Sequence, residues 1–111
     1  MKTKYFERIN DGNMDPEFLR RLDKARGYAG IPFIVTSAYR SPEHPLSIKN
    51  PRSSHIKGLA VDIKCEDSRT RFIIINALII AGFNRIGIGK TFIHVDMDLD
   101  KSNKVIWDYY E

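Results

Sequence analysis

The chain is read as an α+β fold, a small and mainly antiparallel sheet with helices packed on one side. Three observations predict it. Two segments carry helical apolar spacing between capping residues, several short stretches alternate with the period of a strand, and the strand-like stretches follow one another closely enough to pair as hairpins. Helices set apart from antiparallel strands point to this class rather than to a parallel, doubly wound sheet.

Residues 1–13 are polar and end in Asp11-Gly12-Asn13, a turn composition. Asp15-Pro16 then opens the first helix, with Asp15 as N-cap and proline where a helix needs no N–H. Phe18, Leu19, Leu22 and Ala25 fall on one helical face, and Gly27 to Gly30 closes the segment. Residues 32–39, rich in β-branched and aromatic side chains, are expected to form a strand ending near Arg40. Residues 41–57, with Pro42, Pro45, Pro51 and several serines, read as a long loop holding His44 and His55.

A second strand, Leu59 to Cys65, alternates clearly. Leu59, Val61, Ile63 and Cys65 point one way, and Ala60, Asp62 and Lys64 the other. Asp67 and Ser68 can cap a helix from about Arg69 to Ala81, whose Phe72-Ile73-Ile74-Ile75 and Leu78-Ile79-Ile80 clusters imply deep burial before Gly82 ends it. Residues 85–89 and 92–99 read as a hairpin turning around Gly89-Lys90, and residues 105–110 as a last strand.

The length of 111 residues suits one domain spanning 1–111, and no repeat or linker divides it. Hydrophobic residues at 42% and charged residues at 29% make a globular balance. The net charge of +4 is spread along the chain, with no basic patch interleaved with aromatics, so nucleic acid is not an expected partner. A monomer is expected. No run approaches a membrane span, and the start lacks the apolar core of a leader peptide, so the chain is expected to be cytoplasmic as synthesised. Cys65 is the only cysteine, which excludes an internal disulfide and a multi-thiolate metal site. On the oily side of its strand, it reads as inert core.

Period-two geometry puts His94, Asp96 and Asp98 on one strand face and Ile93, Val95, Met97 and Leu99 on the other. A face with a histidine and two carboxylates either meets water or holds a cation. Asp62 lies on the polar side of its own strand, seven residues after His55, with Gly58 between them to let the chain hook back. Catalytic zinc commonly takes three ligands from His and Asp/Glu, and His55, Asp62 and His94 would supply that set. Asp98 reads as a solvated carboxylate and His44, between prolines, as a loop or cleft-rim residue. Trp107, Tyr109 and Tyr110 fit either core or a cleft edge.

The run Ser54-His55-Ile56-Lys57-Gly58-Leu59-Ala60-Val61-Asp62-Ile63 resembles the S-x-H-x-x-G-x-A-x-D signature of the zinc D-alanyl-D-alanine carboxypeptidase family, which shares its fold with the hedgehog signalling domain. Thr36 to His44 resembles that family's S-G-Y-R-S segment, and Phe92-Ile93-His94-Val95-Asp96 its third piece. The resemblance implies Zn2+ held by His55, Asp62 and His94, and Arg40 as the group polarising the scissile carbonyl. It further implies peptidoglycan stem peptides as substrate, cut either as a D-Ala-D-Ala carboxypeptidase or as a murein endopeptidase of the L-alanyl-D-glutamate type. A phage-type lysis protein acting on the bacterial cell wall after release is the expected setting. Many members carry a Glu three residues before the last His, where this chain has Thr91. Asp96 is the candidate base in its place, with orientation of a ligand as its other role. Loss of that Glu also leaves a non-catalytic zinc-containing binding module as the alternative function.

Overall fold

The structure, a computed structural model, describes residues 3–110. Helix α1 (Pro16–Ala29) begins where the Asp15 carboxylate accepts a hydrogen bond from the Phe18 amide at 3.0 Å, and Gly30 ends it in the left-handed conformation. Helix α3 (Ser68–Ile80) starts the same way, with Asp67 accepting from the Thr70 amide. Between them lie β1 (Val35–Ser37), the short helix α2 (Pro45–Lys49) and β2 (Ala60–Lys64). After α3 come β3 (Arg85–Ile88), β4 (Phe92–Asp96) and β5 (Val105–Asp108).

The five strands form one sheet in the order β1-β2-β4-β3-β5. All pairs are antiparallel except β3 with β5. That one exception leaves the sheet mainly antiparallel, as expected, and has a simple cause. The chain reverses after β4, so β5 runs antiparallel to β4 and therefore parallel to β3, the neighbour it joins. The α+β class holds: α1 and α3 pack on each other and cover the sheet face formed by Val61, Ile63, Ile93 and Val95.

Several boundaries differ from the sequence reading. The first strand is confined to Val35–Ser37, with an irregular register against β2; beyond it Ala38 and Tyr39 pack against the core and Arg40 lines the cleft. The 41–57 loop contains α2, capped by His44, whose Nδ1 accepts from the Leu46 amide at 3.1 Å. Strand β4 stops at Asp96. The polar N-terminal stretch still sends Phe6 and Ile9 into the core. Deep burial of all of α3 is not observed: Ile74, Ala77 and Leu78 are buried, whereas Phe72 is 70% exposed and Ile79 and Ile80 point outward. A helix resting on one layer buries one stripe, and the second stripe finds no layer above it among the described residues.

Candidate metal centre

The polar face of the sheet is built row by row. Direct pairing sets Asp62 of β2 opposite His94 of β4, and Ala60 opposite Asp96. Residues paired in this way share a face, so the two strands present Asp62, His94 and Asp96 together while their alternate residues enter the core. His55 reaches this face from the loop. Residues 53–58 wind into a compact turn, closed by hydrogen bonds from the Ile56 amide to the Ser53 carbonyl and from the Leu59 amide to the Ser54 carbonyl. Gly58 sits in that turn at φ +70, and a side chain there would collide with the Asn13 carbonyl. The Asp15 amide donates to the Gly58 carbonyl at 2.9 Å, tying the turn to the start of α1.

One ligand atom each from His55, Asp62 and His94 lies within 4.8 Å of the others. The Nδ1 of His55 is 2.8 Å from the Ala38 carbonyl, which can only accept, so Nδ1 carries the proton and Nε2 is left facing Asp62 Oδ1 at 3.5 Å. His94 is arranged the other way round. Its Nε2 meets Asp96 Oδ2 at 2.7 Å, and its Nδ1 meets Asp62 Oδ1 at 3.0 Å. A carboxylate oxygen thus faces two imidazole nitrogens whose partner nitrogens are already engaged. Two added protons or one shared cation satisfies such a set. The donor types, and the carbonyl and carboxylate behind the two imidazoles, fit a divalent zinc ion.

The charges agree with that fit. Burial alone would push the Asp62 carboxyl up, but hydrogen bonds with His55 and His94 bring it down to about 2, so it is an anion at neutral pH. Asp96 is held below the usual carboxylate range: burial opposes this, and His94, the Asp98 amide and Arg85 outweigh it. Asp96 is 1% exposed, and both its oxygens are occupied. Oδ1 accepts from Arg85 Nε at 2.6 Å and from the Asp98 amide at 3.1 Å, while Oδ2 takes His94.

These groups line a cleft of about 230 Å³. Arg40 opens onto it, its backbone amide donating to the His55 carbonyl at 3.1 Å and its guanidinium to Ser37 Oγ at 3.1 Å. Arg40, His55, Asp62, His94 and Asp96, named from the sequence as site residues, therefore meet in one place. His44 caps α2 instead, and Cys65 is buried, its thiol pushed up by burial. Thr91 sits in the exposed turn between β3 and β4.

Asp98 corrects the reading of a solvated carboxylate. It is 2% exposed, accepts from Ser54 Oγ and Lys57 Nζ at 2.8 Å each, and has Lys101 Nζ at 3.5 Å. Burial of a carboxylate requires such partners, and the two closest, Ser54 and Lys57, lie too far away in sequence for strand alternation to reveal them. Arg85 was not assigned to the site beforehand, and Trp107, left open between core and cleft edge, lines the cleft. The signal for Arg85 was its alternation with Ile86, which places it on the polar face of β3.

A family model described as Peptidase M15 matches residues 3–96, a stretch that includes every residue of the cluster. No curated protein and no solved structure matches the chain.

Proposed function

Because the chain belongs to the Peptidase M15 family, we propose that residues 1–111 form one zinc peptidase domain that hydrolyses peptide bonds in peptidoglycan stem peptides. The observation that carries this reading is the convergence of His55, Asp62 and His94 on one point of a cleft that also holds Arg40. Either the D-Ala-D-Ala carboxypeptidase or the L-Ala-D-Glu endopeptidase reaction, the latter of the endolysin kind, is compatible with it.

When bound, zinc supplies a water of lowered pKa and a Lewis acid for the carbonyl. The residues of the chain do the remaining work. His55 presents Nε2, because Ala38 holds its Nδ1 proton, and His94 presents Nδ1, because Asp96 accepts from its Nε2. Arg40 stands where a scissile carbonyl can be held and its developing negative charge stabilised. Asp96 lies on the far nitrogen of His94 with both oxygens engaged, a placement that supports orientation of His94 over direct proton abstraction from water.

That same placement gives the alternative its footing. The carboxylates lining the cleft are Asp62 and Asp96, the first assigned to the metal and the second tied to Arg85, so a zinc-containing binding module without turnover is the second reading. Incubating the zinc-loaded protein with purified peptidoglycan, with and without a chelator, separates the two. Chelator-sensitive release of D-Ala or of stem-peptide fragments, identified by mass spectrometry, supports the peptidase. Stoichiometric zinc with no bond cut supports the binding module, and no zinc bound ends both.

A further inference from the structure

His55 is the member of the cluster that strand register does not fix. Asp62 and His94 are paired directly across β2 and β4, so the backbone ladder sets their spacing. His55 stands on the 53–58 turn, and its distance from His94 depends on how that turn is held against the end of β4. A backbone bond joins the two, from the Met97 amide to the Leu59 carbonyl at 3.0 Å. Beside it lies a side-chain lattice centred on Asp98. Its Oδ2 accepts from Ser54 Oγ, directly before His55, and its Oδ1 from Lys57 Nζ, two residues after His55, both at 2.8 Å. Lys57 Nζ also donates to Asp100 Oδ2 at 2.9 Å, and Lys101 Nζ to Ser54 Oγ at 3.0 Å, which closes the lattice. The main chain of Asp98 meets the other imidazole arm. Its amide donates to Asp96 Oδ1 at 3.1 Å, and Asp96 Oδ2 takes His94 Nε2.

We propose that Asp98 is a positioning residue that sets the spacing of the two imidazoles, bracing His55 through its carboxylate and His94, by way of Asp96, through its amide. This rests on the metal centre of the proposed function and is independent of turnover there. Three observations carry it. Asp98 is 2% exposed, and a buried ion pair contributes little beyond an apolar side chain of the same size, so packing alone does not account for a carboxylate at this point. What the lattice supplies is a defined geometry, because a hydroxyl and an ammonium from one turn must meet both oxygens of a single carboxylate on another segment. Second, these two donors bracket His55 in the chain, so the brace acts on both sides of the ligand. Third, Asp98 stays out of the cleft lining, to which Ser54, His55 and Asp96 belong, so it acts through the ligands rather than on a bound peptide. It also lies beyond the matched residues 3–96, and family membership therefore does not assign it.

The test measures zinc affinity by competition with a chromophoric chelator, at neutral pH and at a temperature where every variant is folded. D98A should bind zinc at least about ten-fold more weakly than the wild type, as for other groups that orient metal ligands. S54A, which removes one donor, should fall between the two, and D98N, which keeps the size and one acceptor oxygen, should restore part of the loss. The control is L78A, a core change outside the cleft lining. It should lower stability and still bind zinc within about two-fold of the wild type, because a chain that stays folded presents the same ligands. A second readout needs no metal. In the zinc-free protein, D98A should speed hydrogen exchange at the Ile56 and Leu59 amides, which close the turn, by about ten-fold more than at the amides of α3. Wild-type zinc affinity in both D98A and S54A, an equal loss in L78A, or uniform acceleration of exchange overturns the proposal. If D98A does not fold, S54A and D98N carry the same comparison. A wild-type protein that binds no zinc would sink the metal centre and the brace together. Zinc binding that depends on Asp98, without bond cleavage, would sink the peptidase reading and leave the brace standing.

Discussion

At the scale of single residues, Asp96 and Asp98 show how two carboxylates only two residues apart acquire different tasks. Asp96 touches His94, whereas Asp98 touches Ser54 and Lys57 on either side of His55. If Asp96 orients His94, D96N should weaken zinc binding by about 10–100-fold and regain activity at saturating zinc. A loss of activity with zinc affinity unchanged, measured by competition with a chromophoric chelator, would assign Asp96 as the base instead. R40A should leave zinc affinity intact and lower kcat by about 10²–10³-fold, as for removal of an oxyanion donor. Asp98 offers a test through pH. Burial would raise its carboxyl, but Lys57 and Ser54 bring it down to about 2, against about 3.9 in an unfolded chain. Its folded pKa is depressed, so its contribution to stability is complete above about pH 4 and disappears as pH falls through 2. Since Lys57 reaches solvent, we expect about 1–2 kcal/mol from it. The difference in Tm between the wild type and D98N should therefore shrink steadily from pH 4 to pH 2.

At the scale of elements, α3 carries two apolar stripes but only one neighbour. Ala77 and Leu78 face α1 and the sheet, and Phe72 and Ile79 face outward. Leu78→Ala should cost about 2–5 kcal/mol in chemical denaturation, whereas Phe72→Ser should stay within about 0.5 kcal/mol. Periodicity could locate this helix, through its Asp67 cap and its Gly82 stop, but it could not tell which stripe is buried, because isoleucine appears on both. The 53–58 turn is the opposite case. Its glycine announced a hook in the chain, and the structure adds that the hook is pinned against Asn13, so Gly58→Ala should destabilise the protein by more than the ~1 kcal/mol of backbone preference alone.

At the scale of the whole molecule, the metal row joins a loop, two adjacent strands and, through Gly87, the edge strand β5. Among the described residues no helix is long and apolar enough to cross a membrane. A zinc ion bound across the loop and the sheet would oppose their separation, so zinc at about 100 times its Kd should stabilise the protein by about 2.7 kcal/mol, and a chelator should remove the corresponding rise in Tm. An unchanged Tm at that excess would argue against His55, Asp62 and His94 as a shared site.

Much of this was legible in the sequence because strand alternation and helix caps are local. They placed Asp62 and His94 on polar faces, marked both long helices and led to the α+β class, while the spacing around His55 carried the family resemblance. The tertiary structure decided whatever depends on which strand lies beside which. Sheet order and register brought Asp62 against His94, put Asp96 on the far nitrogen of His94, and buried Asp98 among lysines from two segments. They also ran β5 parallel to β3, which decided between core and cleft edge for Trp107 by setting it in the cleft lining. Alternation assigns a side chain to a face; only pairing between strands distant in sequence assigns its neighbours.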